Sequence, residues 1–144
     1  MASGSRCGLA DGIDMMFRML GRSIKSGKAE GIALVSPEPI GFLGGVDPET
    51  GVVIEPGHRL QGECITGRVL VFPTGKGSTV GSYTLYRMAK SGTAPAAIIN
   101  LESEAIVAVG AIIADIPMVD QVDIAQIETG DKVQMDGASI VVAR

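Results

Sequence analysis

Short apolar runs separated by turn residues dominate the chain from residue 31 onward. Residues 32–35, 69–72 and 97–99 are runs of three or four apolar residues, too short for helices, and they predict buried strands. The third run ends at Asn100. A further apolar run, residues 52–54, follows a stretch rich in glycine, proline and acidic residues, which indicates a turn before it.

Two longer segments predict helices. Residues 78–90 can begin with Ser78 or Thr79 as the N-cap and stop at Gly92, since hydroxyl residues favour helix starts and glycine favours helix ends. Residues 104–114 are apolar on every side, and their alanines and glycine favour a helix over a strand. An all-apolar helix is expected to be buried.

The C-terminal part predicts smaller elements. Residues 116–119 read as a short strand, in which Pro117 suits an edge or a strand start. Residues 132–135 and 139–142 flank an Asp-Gly pair, which is a strong hairpin signal. This order of elements predicts one compact mixed β/α domain over residues 23–144, rather than a doubly wound sheet.

The first 22 residues predict an N-terminal extension outside that domain. Methionine is concentrated at positions 15, 16 and 19, and no uninterrupted apolar region follows a basic start, so a secretory signal is not indicated. Two interpretations remain open for this stretch. It is either a ragged extension, with the natural start of the protein further downstream, or a short docking helix.

Composition narrows the class of function. Of the 144 residues, 46% are hydrophobic and 19% charged, which argues against disorder, and only 3% are aromatic, so the core must be aliphatic. The net charge of −4 disfavours nucleic acid as the main partner. The longest apolar run, residues 105–114, is about half the roughly 20 residues that a membrane-spanning helix needs.

The metal-binding residue types are scarce. Cys7 and Cys64 lie far apart and fit no metal-ligand spacing, and two cysteines are fewer than an iron–sulfur cluster requires. So few cysteines suit a protein of the reducing cytoplasm. With His58 as the single histidine, a catalytic zinc site is not expected, and His58 is interpreted as a structural hydrogen-bonding residue. Cys64 is interpreted as a small core residue.

The segment that carries chemistry is residues 69–82, in which a buried strand leads through a glycine-rich turn into a helix. A helix N-terminus offers unpaired N–H groups and the positive end of the helix dipole, so it favours anions. The spacing fits neither the P-loop nor the dinucleotide fingerprint, so a nucleotide site is disfavoured. The alternative is a purely structural turn with a capping serine.

The chain resembles the small subunit of the aconitase-X branch of the aconitase superfamily, continuously over residues 28–142. The segments that carry the resemblance are residues 40–47 (IGFLGGVD), His58 with Gly62, residues 67–71 (GRVLV), residues 75–78 (GKGS), and Ile116 with Pro117. The resemblance implies a swivelling β/β/α domain, either free-standing or fused to a larger partner.

The resemblance also implies an activity. In the family, the proton-accepting serine falls on Ser78, and an iron–sulfur cluster, expected to be 4Fe-4S, is bound by the large subunit and not by this chain. The implied reaction of the heterodimer is dehydration of (R)-5-phosphomevalonate to trans-anhydromevalonate 5-phosphate in the archaeal mevalonate pathway of isoprenoid synthesis. The alternatives are dehydration of cis-3-hydroxy-L-proline, or a non-catalytic module that gates a partner enzyme.

A serine is a weak base unless its anion is stabilised, and the residues around Ser78 offer stabilising groups. Lys76 and Gly77 are predicted to bind the anionic substrate, together with Ser82, which lies one helical turn beyond Ser78. Two of these assignments have alternatives. Lys76 can equally be a solvated surface residue, and Ser82 can serve only in capping and packing.

Further candidates lie outside this segment. Gly44 and Gly45 can line the cleft with their N–H groups, although a tight turn alone would explain them. Arg68 precedes a buried strand and is expected to pair with Glu63 or to meet the partner.

Overall fold

The computed structural model of the chain describes residues 15–144. Within them lie eight strands and two helices. Their bounds are β1 Met16–Leu20, β2 Arg22–Lys25, β3 Lys28–Val35, β4 Val69–Phe72, α1 Val80–Ser91, β5 Ala97–Asn100, α2 Ala105–Ala114, β6 Met118–Asp120, β7 Lys132–Asp136 and β8 Ser139–Ala143. A single 3-10 turn, Ile124–Gln126, connects β6 to β7.

All eight strands belong to one curled sheet, in the order β1-β8-β7-β3-β4-β5-β6-β2. The two edge strands are β1 and β2, and in the chain only Gly21 separates them. One continuous segment therefore pairs with β8 at one end of the sheet and with β6 at the other. The sheet closes on itself through this segment.

The sheet has two halves that meet at β3. This strand pairs parallel with β4 on one side and antiparallel with β7 on the other. Strands β4, β5 and β6 are parallel, and α1 and α2 connect them in turn. Because each helix follows the carboxyl end of a parallel strand, both helices begin at the same edge of the sheet, where α/β proteins usually place their sites.

Two apolar cores lie on the two faces of the sheet. One fills the space between the parallel strands and the helices, with Phe42, Phe72, Leu85 and Met88 among its buried members. The other lies inside the curl and is lined by aliphatic side chains such as Val71. Strands β4 and β5 are buried on both faces because they contribute to both cores. This explains their continuous apolar sequence.

Most predicted elements are confirmed. The strands at residues 69–72 and 97–99, the helix after the glycine-rich turn and the C-terminal hairpin are all present. The predicted class, one mixed β/α domain, is confirmed as well. In the hairpin, Gly137 has φ of 60° and is the first of the two residues between Asp136 and Ser139.

The N-terminal part differs from the prediction. Residues 16–20 form strand β1 rather than part of an extension or a short helix. Side-chain exposure alternates along β1, with Phe17 and Met19 turned towards the interior of the curl. This two-residue period is that of a strand and not of a helix. Residues 1–14 of the predicted extension lie outside the described residues.

Helix α2 exists as predicted but is not fully buried. Val107, Gly110 and Ala111 face the protein, whereas Val109, Ile112 and Ile113 are 48%, 50% and 42% exposed. Neither helix in the range 15–144 has the length and apolar character that crossing a membrane would require.

Two buried carboxylates are each paired with an arginine. Asp120 in β6 accepts a bidentate pair of hydrogen bonds from Arg22 in β2, at 3.0 and 2.8 Å. Burial would raise the pKa of Asp120, but hydrogen bonds from Arg22 and Ser103 outweigh it and hold the pKa below its usual value. Asp131 is held in the same way by Arg144, whose hydrogen bonds lower its pKa.

Candidate active site at the start of helix α1

Two glycine-rich loops lie side by side at the edge where the helices begin. Residues 40–45 form one loop, and residues 73–79, between β4 and α1, form the other. The N–H of Lys76 donates to the carbonyl of Ile40 at 3.1 Å, and the N–H of Ile40 donates to the carbonyl of Thr74 at 3.3 Å. This short parallel bridge holds the two loops together.

Glycine is required in both loops because there is no room for a side chain. A Cβ atom at Gly45 would lie 2.0 Å from the carbonyl oxygen of Gly41. A Cβ atom at Gly75 would lie 2.4 Å from Val107 Cγ2 and 2.5 Å from Glu104 Oε1. Gly45 therefore lets the first loop fold back on itself, and Gly75 lets the second loop pack directly against the start of α2.

Ser78 lies on the exposed tip of the second loop. Residues 76–80 are all exposed, and the Ser78 Oγ accepts a hydrogen bond from the N–H of Val80 at 3.2 Å. The N-cap residue is Thr79, whose side chain makes no capping hydrogen bond. Within residues 15–144, the N–H groups of Gly77, Ser78 and Thr79 donate to no protein acceptor. Three consecutive N–H groups on the Ser78 loop are therefore without an acceptor in the described part of the chain.

Lys76 is paired rather than free. Its Nζ lies 2.9 Å from Glu55 Oε2, and both side chains are partly exposed. Glu55 was not among the residues predicted for the site, because it is 21 positions away and no motif marks it. The pair places a positive charge on the Ser78 loop and gives it a carboxylate that an anionic ligand would have to displace.

Ser82 is directed away from the loop. Ser82 is only 6% exposed, and its Oγ donates to the carbonyl of Ile106 in α2 at 2.6 Å. The structure thus brings Lys76, Gly77 and Ser78 together on one loop and uses the Ser82 hydroxyl to fasten α1 to α2. Of the two interpretations of Ser82, packing accounts for its contacts.

The second glycine pair has a structural part in the site. Gly44 is exposed with φ of 80°, and Gly45 is buried and accepts hydrogen bonds from Ile54 and Glu55 through its carbonyl. These bonds tie the first loop to the segment that carries Glu55, the partner of Lys76. The pair therefore forms a tight turn beside the candidate site.

His58 has the structural role that its sequence context predicts. The ring is buried, its Nδ1 accepts the N–H of Leu60 at 3.0 Å, and Nε2 lies 3.0 Å from the carbonyl of Pro39. Since Nδ1 accepts, Nε2 carries the hydrogen and donates to Pro39. Both ring nitrogens are engaged in hydrogen bonds. The ring therefore holds Pro39, just before the first glycine-rich loop, against the segment that contains Leu60.

Arg68 and Cys64 differ from the predictions. Arg68 donates to the carbonyls of Ile32 and Ala33, both at 3.1 Å, and therefore braces β3 instead of pairing with Glu63. Cys64 is exposed, so it is not the core residue that was predicted.

Glu104 is a second residue that the sequence analysis missed. It is the N-cap of α2, and its carboxylate accepts the N–H groups of Ile106 and Val107 at 3.0 and 2.9 Å. An acidic residue just before an apolar run was the available signal. The first N–H groups of α2 are thus occupied by the protein's own carboxylate. The N–H groups of Gly77, Ser78 and Thr79, just before α1, have no acceptor within residues 15–144.

The arrangement suits proton transfer next to an anion. The Ser78 hydroxyl accepts the N–H of Val80 at the positive end of a helix, on a loop with unpaired N–H groups and a lysine, and these groups favour its alkoxide form. The same donors can bind a carboxylate or a phosphate. Among residues 15–144, no three His, Cys, Asp or Glu side chains are grouped so that they could hold a metal ion.

The fold and this site define the class of a small swivelling domain whose serine loop lies on its surface. Residues 18–143 match the family model described as the aconitase X swivel domain, and the chain belongs to that family.

Named relatives agree with the family. The chain is 58% identical over 120 residues to the phosphomevalonate dehydratase small subunit of Pyrococcus furiosus, covering 83% of this chain and 90% of that protein. It is 59% identical over 121 residues to the subunit of the same name from Methanothrix thermoacetophila, covering 83% and 88%. The holo-form crystal structure of Thermococcus kodakaraensis aconitase X matches with a TM-score of 0.86 at 52% identity, covering 88% of this chain and 98% of that chain.

Proposed function

We propose that this chain is the small subunit of a heterodimeric hydro-lyase that dehydrates (R)-5-phosphomevalonate to trans-anhydromevalonate 5-phosphate. The support is its membership of the aconitase X swivel family and the shared name of relatives that are 52–59% identical to it. This reaction belongs to a mevalonate pathway of isoprenoid synthesis, and we place the complex in the cytoplasm.

Ser78 is the residue that accepts the proton. Dehydrating a 3-hydroxy acid removes a proton from the carbon next to the carboxylate and expels hydroxide from the following carbon. The observation that supports this role is the position of Ser78, exposed at the start of α1 on a loop with three consecutive N–H groups that have no acceptor within residues 15–144. These groups stabilise the alkoxide that a serine base must form.

Lys76 and Gly77 bind an anionic group of the substrate. The ammonium of Lys76 is on the same loop as Ser78, and the N–H of Gly77 has no protein acceptor within residues 15–144. In this proposal the substrate's carboxylate or phosphate replaces Glu55 as the partner of Lys76. Ser82 is left out because its hydroxyl donates to Ile106.

A larger subunit completes the site. Residues 76–80 are exposed, so a second surface must cover Ser78 and exclude water before proton transfer is effective. Among residues 15–144 the chain has one cysteine, Cys64, and no grouping of metal-ligating side chains, so they do not fit an iron–sulfur cluster. The proposed large subunit carries the cluster, which as a Lewis acid would help hydroxide to leave.

The test is an anaerobic assay of the reconstituted two-subunit complex with (R)-5-phosphomevalonate, followed by proton NMR. We expect a new vinyl signal from trans-anhydromevalonate 5-phosphate. If no vinyl signal forms although the cluster is intact, the substrate assignment is wrong, and cis-3-hydroxy-L-proline is the next substrate to assay because the family resemblance also allows it.

One variant distinguishes a catalytic role of this chain from a non-catalytic gating role. If the domain only gates or scaffolds its partner, the Ser78→Ala complex keeps nearly all of its activity. If Ser78 accepts the proton, the same complex loses activity by orders of magnitude while both subunits remain associated.

A further inference from the structure

The outer face of α2 carries large apolar side chains and no charge. Residues 105–114 contain only alanine, valine, isoleucine and glycine. Val109, Ile112 and Ile113 are between 42% and 50% exposed, although an apolar helix of this kind is expected to be buried. Exposed apolar surface of this extent usually marks a site of interaction.

Helix α1 continues the same surface. The two helices run parallel, with Gly81 close to Ile106, and Gly110 close to both Ser82 and Leu85. Because small residues line this seam, the helices approach closely and their outer sides form one surface. Helix α1 adds Tyr83 and Tyr86, which are 68% and 41% exposed.

We call this surface the two-helix face, formed by the outward side chains of Tyr83, Tyr86, Val109, Ile112 and Ile113. It begins at the same edge as the candidate site, since both helices start there. Leu43 and Val80, beside Ser78, are 51% and 47% exposed, so apolar surface extends up to the serine loop. The N–H of Leu43 lies close to Gly81, at the start of α1.

This continuity identifies the occupant. The subunit that covers Ser78 has to contact the edge of the sheet where α1 begins, and the two-helix face leads away from that edge without a charged boundary along α2. A lipid surface is disfavoured because the chain has a net charge of −4, and anionic membranes attract basic segments. A second copy of this chain on the face would occupy the space beside Ser78 that the covering subunit needs.

We propose that the two-helix face is the docking surface for the larger, cluster-carrying subunit, an inference that rests on the proposed function. Exposed tyrosines beside aliphatic side chains are typical anchors of protein interfaces, and the ammonium of Lys90, 5.5 Å from the centre of the Tyr86 ring, lies at the α1 side of this face. The partner's matching surface is expected to be apolar and to continue into the part that covers Ser78.

The test uses the full chain with Val109→Glu and its own large subunit. Glutamate is a better helix former than valine, and Val109 is exposed, so α2 is expected to stay folded. A buried, unpaired carboxylate in the interface should weaken subunit association at least about tenfold. Ile32→Glu is the matched control, since Ile32 is 39% exposed on β3 near the antiparallel half of the sheet and should leave the dissociation constant within about twofold.

The dissociation constant is measured by titration calorimetry, and circular dichroism checks that each variant is folded. Ile112→Lys, at the end of α2 where a cation is favourable, replaces Val109→Glu if that variant unfolds. Equal affinities for the wild type, Val109→Glu and Ile32→Glu would overturn the proposal. So would a Val109→Glu variant that only separates copies of this chain from each other, because the occupant would then be a second copy.

The result also separates this inference from the proposed function. A complex whose assembly depends on Val109 but which leaves 5-phosphomevalonate unchanged would keep the docking surface and remove the substrate assignment. A complex that dehydrates 5-phosphomevalonate and assembles normally with Val109→Glu would do the reverse.

Discussion

The starts of the two helices lie at the same edge of the sheet but are built differently. At α2, the Glu104 carboxylate accepts the N–H groups of Ile106 and Val107, and Ser103 is tied to Asp120 by hydrogen bonds of 3.1 and 2.7 Å. At α1, the N–H of Val80 donates to the neutral Ser78 hydroxyl. The N–H groups of Gly77, Ser78 and Thr79 have no acceptor within residues 15–144, so this start is open to a ligand.

This difference separates a start that stabilises the fold from one that is available to a ligand. A side-chain cap contributes about 1 kcal/mol to helix stability. At α1 the side chain with this role is Ser78 itself, whose hydroxyl accepts the N–H of Val80. In α2 that stabilisation is retained because its N-terminus is filled by the chain's own carboxylate. In α1 the unfilled donors are the groups that an anionic substrate and a serine alkoxide require.

The largest expected effect is on the open start of α1. Ser78→Ala should lower the kcat of the reconstituted complex by about 10³-fold or more, because the proton acceptor is removed. It should also cost about 1 kcal/mol of stability, because the hydrogen bond from the N–H of Val80 is lost. The measurement is steady-state dehydration of 5-phosphomevalonate, with thermal unfolding of the same samples. Ser82→Ala is the matched control. It should lose the hydrogen bond to Ile106 and about 1 kcal/mol of stability, with kcat retained.

A smaller effect is expected at Lys76. Lys76→Met should raise the KM for 5-phosphomevalonate about tenfold or more and change kcat less, since a charge that binds the substrate equally in the ground and transition states affects KM. Lys132→Met, on an exposed position of β7, serves as the control. An unchanged KM in Lys76→Met would mean that the Glu55 pair is only a surface ion pair.

Low pH should destabilise the protein at the start of α2, where Ser103 is hydrogen-bonded to Asp120. The pKa of Asp120 is lower in the folded protein than its ordinary value of about 3.9, so its stabilising contribution is present at neutral pH and is lost as the pH falls below about 4. Urea unfolding between pH 7 and pH 3 measures this. The stability of Asp120→Asn should fall less steeply with acid than that of the wild type. Parallel curves would contradict the role given to this carboxylate.

The smallest expected effect is at the cap of α2. Glu104→Ala should lower the free energy of unfolding by about 1 kcal/mol and leave kcat nearly unchanged, because the lost hydrogen bonds belong to helix stability. Glu102→Ala, two residues earlier and exposed, is the control and should change neither quantity. A large loss of activity in Glu104→Ala would show that the two helix starts act together.

Features set by neighbouring residues were predictable from the sequence. Strands β4 and β5 are continuous apolar runs because both faces are buried, and the end of α1 at Gly92 follows from a glycine in the left-handed conformation. The GKGS turn indicated an anion-binding helix start, and the structure places Lys76, Gly77 and Ser78 on that turn. Their roles in catalysis and binding stay predictions until the variants are measured.

Features that depend on distant partners were not predictable. Arg22 and Asp120, which pin the closing segment to β6, are 98 positions apart, and Glu55 and Lys76 are 21 apart. No local pattern marks such pairs. The exposed face of α2 was missed for another reason. A helix that is apolar all round predicts burial without saying what buries it, so the sequence of α2 did not show that one side of it is exposed in this chain.

The most direct test of the central claim is to measure kcat and the free energy of unfolding side by side for the Ser78→Ala and Glu104→Ala complexes. The account predicts that both variants lose about 1 kcal/mol of stability, because each loses a side-chain hydrogen bond at a helix start. It predicts that only Ser78→Ala abolishes dehydration, whereas Glu104→Ala changes kcat little. A Ser78→Ala complex that dehydrates 5-phosphomevalonate at the wild-type rate would contradict the claim, whatever its stability.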